Sequence, residues 1–280
     1  MKLHHNTNPK QTVLITGSTG GLGKALAVEC ARRGWNLILT DQPASNLENL
    51  ARVLKITYHI NILTFACDLS DPNGCSLLMA ELQKNVANIT MLINVAGIDF
   101  EGFFLHQSLR DLQTMVRINV EGPLSLIHEV IKLRDMQTTF RVINVSSMAA
   151  FYPMPIKATY AASKRFLLDL SQALNFELKD ENVSVTALCP AGMPTNRQCV
   201  QSINAQGWIG YITTMNTGKV AFLTIEAALR GKPLLIPGIV NGFIHLVSYM
   251  VPTYLKMKFI AGRWKTARSK RVSLGELVQV

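Results

Sequence analysis

The run Thr12-Val13-Leu14-Ile15 passes directly into Thr16-Gly17-Ser18-Thr19-Gly20-Gly21-Leu22-Gly23, and this junction constrains the fold more than any other stretch of the chain. The apolar run reads as a buried strand. Beyond the glycines, Lys24 to Arg33 has helical spacing and stops at Gly34. Strand, glycine turn and helix in this order form the context in which a turn binds a dinucleotide. Glycines let the backbone bend and approach a pyrophosphate, whose charge meets the helix N-terminus.

The same alternation continues along the chain. Apolar runs at Thr12–Thr16, Asn36–Thr40, Asn61–Cys67, Met91–Val95, Phe140–Val145, Val183–Leu188 and Leu234–Ile236 read as strands. Between them the spacing predicts helices at about 22–33, 45–56, 74–87, 108–135, 157–179 and 218–230. Apolar strands separated by helices imply a parallel sheet covered on both faces. With 280 residues, 48% of them hydrophobic, the chain can build one large α/β core without a second domain.

The second strand ends at Asp41. A carboxylate there can accept both ribose hydroxyls of an adenosine and repels a 2′-phosphate. At about 4 Å and an effective dielectric of about 20, each unit of like charge costs roughly 4 kcal/mol before screening. No arginine or lysine occurs in Ser18–Gly23 or Gln42–Asn46 to rescue that phosphate. NAD is therefore expected, with NADP as the alternative.

Tyr160 and Lys164 stand at i and i+4 in Tyr160-Ala161-Ala162-Ser163-Lys164, and Ser147 follows an apolar strand upstream. Residues so spaced share one face of a helix. A free phenol titrates at about 10. An ammonium about 4–5 Å away at a dielectric of about 20 favours phenolate by roughly 3–4 kcal/mol. That would bring the phenol towards roughly 7–8, where an acid–base catalyst belongs. Ser147 can hold the oxygen that exchanges the proton. A second Tyr-x-x-x-Lys, Tyr254 to Lys258, follows Pro252 in a basic segment, has Asn241 in place of the serine, and reads as surface.

Together these residues resemble the short-chain dehydrogenase/reductase family in its form of about 250 residues, over Thr12 to about Thr195. Thr16-Gly17-x-x-x-Gly21-x-Gly23 is similar to the family's cofactor turn, which brings in Ser18, Thr19 and Leu22. Asp68, with Leu69 after it, resembles the adenine-contacting aspartate. Asn94-Val95-Ala96-Gly97 is similar to the family's Asn-Asn-Ala-Gly, with Val95 as a departure. Asn119 matches the asparagine that steadies a water beside the active-site lysine, and Ser147, Tyr160 and Lys164 match the catalytic set. Pro190-Ala191-Gly192-Met193-Pro194-Thr195 resembles the loop over the nicotinamide, with Ala191 where glycine is usual. The resemblance implies a doubly wound Rossmann fold, a seven-stranded sheet in the order 3-2-1-4-5-6-7, Lys164 on the cofactor ribose, and a homodimer or homotetramer.

Five cysteines, odd in number and without Cys-x-x-Cys, argue against disulfides and zinc, and no metal is expected. A reducing, cytoplasmic location fits. The start, Met1 to Lys10, lacks an apolar signal region. Seven of the ten net positive charges fall between Lys256 and Arg271, where there is no acid. The remainder is an almost neutral enzyme body, and nothing points to nucleic acid.

Two regions carry what is individual. Residues 192–217 lie where the family keeps a substrate lid and include Met193, Trp208, Tyr211 and Met215. With Met148, Pro153 and Met154 they suggest an apolar acceptor pocket, free of fixed charge, for a lipophilic ketone or alcohol. The domain is expected to span 1–238, followed by an apolar then basic extension at 239–280. Pro237, Asn241, His245 and Pro252 argue against a membrane-spanning helix there. The extension fits a lid, a dimer arm, or peripheral contact with an anionic membrane through 239–271. An alcohol–ketone oxidoreductase is the reading that results. A non-catalytic nucleotide sensor, a membrane-surface adaptor and a sugar-nucleotide epimerase or dehydratase are the alternatives.

Overall fold

The computed structural model describes residues 11–86, 88–195, 197–205, 207–248 and 250–273. Its centre is a seven-stranded sheet in the order β3-β2-β1-β4-β5-β6-β7, with every neighbouring pair parallel. The strands are β1 (Thr12–Thr16), β2 (Asn36–Asp41), β3 (Ile62–Ala66), β4 (Met91–Asn94), β5 (Phe140–Val145), β6 (Val183–Leu188) and β7 (Leu234–Leu235). Strands β1, β4 and β5 are buried on both faces, which is why they read as unbroken apolar runs.

Alternate side chains feed two cores. Val13 and Ile15 of β1 and Met91 and Ile93 of β4 pack under helices α1 (Gly21–Arg32), α2 (Leu47–Tyr58) and a later helix, Thr217–Leu229. Leu14, Leu92 and Val142 face the other way, against α3 (Gly74–Asn85), α5 (Gly122–Val130) and α6 (Ala158–Glu177). Leu47, Ala51 and Leu54 on α2, and Leu22, Leu26 and Cys30 on α1, are the buried stripes that such packing requires.

The helix expected over 108–135 is divided. Helix α4 (Leu109–Val116) leads into a π-helical turn at Arg117–Glu121, α5, and a short 3₁₀ turn at Ile131–Leu133. Pro123 has no N–H to give to the Asn119 carbonyl four residues back, and the Gly122 N–H goes instead to Arg117 O, five residues back. The widened turn buries Asn119 completely.

Residues 192–217 and the extension are helical. The lid region forms α7 (Arg197–Ala205) and α8 (Trp208–Thr213), and α9 (Thr217–Leu229) then returns to the core. Gly238, at φ 91, turns the chain from β7 into α10 (Ile239–Ser248), and α11 (Thr253–Ser273) follows Pro252. Helix α10 packs on α8, and α11 packs on α7. Among the described residues no helix is long and apolar enough to cross a membrane.

Candidate active site

The glycine turn is shaped by close approach. A Cβ on Gly17 (φ 60) would lie 2.7 Å from Ala96 Cα, one on Gly23 2.1 Å from Gly17 O, and one on Gly21 2.8 Å from Thr195 Cα. Three segments named from the sequence therefore meet here: the turn, Asn94–Gly97 and Pro190–Thr195. The N-terminus of α1 has no side-chain cap and no acid in its first turn, so its amides are available to an anion.

Several residues expected at the cofactor site have side chains engaged within the protein. Ser18 is fully buried and donates to Thr40 O at 3.2 Å. Leu22 and Leu69 pack in the cores. Asn94 donates to Asn144 Oδ1 at 2.9 Å inside the sheet, and its own Oδ1 is buried without a protein partner. These residues shape the site through their backbone, since their side chains are spent on folding. Asp41 stands at the turn: its Oδ2 accepts from Thr19 N at 2.8 Å and Thr19 Oγ1 at 2.7 Å. Asp68 is exposed and accepts from Ser70 N and Oγ. Thr195 donates to Cys199 Sγ, the Pro190 carbonyl accepts from Met148 N, and Gly192 lies against Ile203.

The catalytic candidates converge at the carboxyl ends of β4 and β5 and on the first turns of α6. Lys164 is buried and donates from Nζ to Val145 O at 3.0 Å. Its Nζ lies 5.8 Å from the Tyr160 ring centre. Gly97 lies close against Lys164 and Asn119: a Cβ there would sit 3.0 Å from Lys164 Nζ and 3.2 Å from Asn119 Oδ1 and would press on both side chains. Ser147 caps a 3₁₀ turn (Met148–Phe151), with its Oγ accepting from Ala149 N at 3.1 Å. The Asn119 amide is committed: Oδ1 accepts from Ile98 N at 2.9 Å, and Nδ2 donates to Ile98 O at 2.9 Å and Ser163 Oγ at 3.1 Å.

The electrostatics differ from the sequence expectation. Enclosure by protein pushes the Tyr160 phenol above its ordinary 10.0; Asp99 adds to the rise, and a hydrogen bond with Ser147 opposes it. Burial brings the Lys164 ammonium down to about 8, against a smaller opposing pull from Asp99. Desolvation dominates, so the protein alone does not poise the phenol near neutrality.

The pocket also carries fixed charge. Lys157 pairs with Asp99, lies 3.7 Å from Glu101, and stands 5.7 Å from the Tyr160 ring centre. Ile156 beside it has φ 74, a conformation β-branched residues avoid, and its carbonyl ties in Gly102. Of the expected pocket residues, Met148 is buried and Met154 is partly so. Met193 is partly buried against the larger core cluster, and Trp208 is 72% exposed on α8. Phe151, on the turn after Ser147, lies against His245 of α10 with ring centres 3.9 Å apart and the rings tilted by 46°.

Sequence reasoning named Thr16 only as the start of the glycine turn and gave no role to its hydroxyl, which accepts from Val95 N and Ala96 N, and it missed Ser163, which links Asn119 to the Tyr160 carbonyl. It also missed Ser146, which donates to Lys164 O. Only the adjacency of Ser146 and Ser163 to catalytic candidates could have drawn attention to them. Among the described residues no group of three or more His, Cys, Asp or Glu could hold a metal.

Comparison with known proteins agrees with this geometry. The family model of the short chain dehydrogenases matches residues 11–206. Serine 3-dehydrogenase of Agrobacterium fabrum is 33% identical over 192 residues, covering 68% of this chain and 75% of the relative. A bulky-bulky ketone specific alcohol dehydrogenase from Comamonas testosteroni superposes with a TM-score of 0.72 at 24% identity, covering 97% of this chain and 96% of the other. A short-chain dehydrogenase from Sphingobium yanoikuyae, solved in complex with NADPH, gives a TM-score of 0.72 at 25% identity and 96% coverage of each chain. A match over most of the chain, on a sheet of this order, places the protein in the short-chain dehydrogenase/reductase family of oxidoreductases.

Proposed function

We propose that the protein interconverts an alcohol and a ketone by hydride transfer, with Tyr160 as the general acid–base group. The observation that carries this reading is the convergence of Ser147, Tyr160 and Lys164 at one strand end, with Lys164 tied to Val145 O.

The residues present fit a dinucleotide: the three glycines leave no room for a Cβ, and the uncapped start of α1 offers amides to a pyrophosphate. Gly17, Thr19, Gly21 and Gly23 would hold the phosphates. Asp41 and Asp68 would hold the adenosine end, and Ala96, Gly97, Lys164, Pro190, Gly192 and Thr195 the nicotinamide end. When bound, the nicotinamide supplies the hydride donor or acceptor and, oxidised, a positive charge. NAD is the nucleotide we assign, because the Asp41 carboxylate faces the turn with no arginine or lysine in Ser18–Gly23 or Gln42–Asn46. The NADPH in the Sphingobium relative makes NADP the competing choice.

Within this arrangement Ser147 Oγ holds the substrate oxygen and Tyr160 Oη exchanges its proton. Lys164 contributes an ammonium that favours phenolate once cofactor charge joins it. Asn119 fixes the wall behind Lys164 through Ile98 and Ser163, and its carbonyl, lacking a donor at Pro123, suits a water that passes the proton onward. Met148, Met154 and Phe151 favour a lipophilic body for the substrate, while the Asp99–Lys157–Glu101 cluster sets a polar rim beside the reacting oxygen. We read residues 1–238 as the catalytic unit and 192–217 as its lid. Exposed apolar residues on α4 to α6 (Leu109, Val116, Leu124, Phe176) support assembly as a homodimer or homotetramer.

Turnover of a panel of aliphatic, aromatic and cyclic ketones with NADH and NADPH tests the proposal. The expected result is reduction of bulky apolar ketones with NADH preferred. Cofactor binding without turnover of any ketone or alcohol would replace the enzyme by a nucleotide sensor.

A further inference from the structure

We propose that the outer face of the C-terminal extension docks on an anionic phospholipid surface and so brings the mouth of the catalytic cleft to the bilayer. Helix α10 has two unlike faces. On one, Asn241 is buried and donates to Thr213 O of α8 at 3.0 Å and to Pro237 O at 2.8 Å, while His245 lies against Phe151. On the other, Ile239, Phe243 and Leu246 recur at helical spacing and are 93%, 66% and 66% exposed, and Met250, in the turn beyond the helix, is exposed as well. Trp208 and Tyr211 of the adjoining α8 are exposed as well. Exposed apolar side chains gathered on one helix face and its neighbour mark a contact surface.

Charge selects the occupant. From Ile239 to Arg271 there is no aspartate or glutamate. Along the chain the apolar stripe is followed by Lys256, whose ammonium donates to Ser248 O at 3.1 Å, and by Lys258, Arg263, Lys265, Arg268, Lys270 and Arg271. A second copy meeting this surface face to face would bring two acid-free basic segments together. An anionic bilayer satisfies both parts at once: acyl chains take the apolar stripe and headgroups take the cations. Since no described helix can cross a membrane, the contact is shallow. The same helix reaches Phe151, in the turn that follows Ser147, so a substrate dissolved in the bilayer has a short path to the cleft.

Full-length protein sedimented with vesicles of phosphatidylglycerol and phosphatidylcholine is the test. Binding is expected at low salt, weakened by added salt and absent with phosphatidylcholine alone. The double variant Phe243→Ser/Leu246→Ser changes only exposed side chains, so its circular dichroism and its turnover of a small soluble ketone should match the wild type. Its partition onto anionic vesicles should fall by about 100-fold, and Lys258→Gln/Arg263→Gln should lower it by about 10-fold or more. Failure of the wild type to sediment at low salt overturns the proposal, as does full retention of binding in the Phe243/Leu246 variant. Loss of a dimer in that variant, without vesicle binding by the wild type, would assign the face to a second copy. Vesicle binding is read without turnover, so this result stands apart from the catalytic reading.

Discussion

The Lys164 ammonium donates to the Val145 carbonyl at 3.0 Å, so the lysine is anchored to the same strand end that presents Ser147 two residues later. That anchor explains why a buried cation is tolerated: one proton of the ammonium has a partner, and the remaining cost appears as the fall of its pKa to about 8. Burial shifts both the lysine and the phenol towards their uncharged forms, and a bound cofactor would change that balance.

Tyr160→Phe removes one oxygen beside Ser147. Turnover is expected to fall by at least about 100-fold, the usual contribution of a general acid–base group, with the thermal midpoint nearly unchanged. A purified variant that keeps wild-type kcat would eliminate Tyr160 as the proton-transfer group.

The Lys164 titration has opposite signs in two measurements. Between about 8 and its ordinary 10.5 the unfolded chain holds a proton that the folded protein has released. This group's contribution to stability therefore rises with pH across that window. In urea denaturation of cofactor-free protein, the difference between wild type and Lys164→Met should shift in the wild type's favour from pH 8 to 10.5. NAD affinity should move the other way, weakening above about pH 8 as the ammonium is lost and staying flat in the variant. A wild-type affinity independent of pH would remove Lys164 from the ribose contact.

Asp41→Ala is expected to weaken NAD binding and narrow the gap to NADP, since it removes the diol acceptor and the repulsion together. The variant also frees Thr19 N and Oγ1 from the carboxylate. A titration in which the wild type binds NADP as tightly as NAD would show that Asp41 does not choose the nucleotide.

Gly21→Ala and Gly242→Ala form a matched pair. The first Cβ lands 2.8 Å from Thr195 Cα, whereas the second, in α10, meets nothing within 4 Å. Gly21→Ala should separate the turn from the Pro190–Thr195 loop and weaken cofactor binding. Gly242→Ala should stabilise the protein by roughly 0.5–1 kcal/mol, the helical preference of alanine over glycine. Equal cofactor affinity in the two variants would count against the turn–loop contact.

Asn241→Leu keeps the branched shape and the number of heavy atoms but leaves the Thr213 and Pro237 carbonyls without this donor. It should loosen α10 from the lid and raise KM for a bulky ketone more than it lowers kcat. Unchanged KM with a lowered thermal midpoint would confine Asn241 to stability.

The sheet was legible because buried parallel strands are continuous apolar runs: β1, β5 and β6 begin and end at the residues their composition marks. The break at Asn119 was not, since apolar spacing runs through a π turn and only Gly122-Pro123 betrays it. Helices α8 and α10 were missed because they leave large apolar side chains exposed, so burial does not set their period. Ser147, Tyr160 and Lys164 stood out by spacing, but the Asp99–Lys157 pair joins a loop to a helix cap far along the chain, and no local pattern announces it. The motifs marked Ser18 and Asn94 as site residues without saying where their side chains go, because a motif fixes where the backbone runs and does not fix where each side chain points; here both donate within the protein.

Strand β1 pairs with β2 on one side and with β4 on the other. As the chain leaves the ribosome, its nucleotide-binding half can close early through β2 and β3, while the second edge of β1 stays bare until Met91–Asn94 arrives. The proton-transfer half waits longer still, for β5, α6 and the loop at Pro190. Birth of the molecule thus passes through a stage that carries the glycine turn, lacks the catalytic groups and has an unpaired edge open to other nascent chains. Protease protection of chains arrested just before and just after β4 would reveal that stage as a jump in resistance of β1, and a gradual rise would mean that the sheet assembles without it.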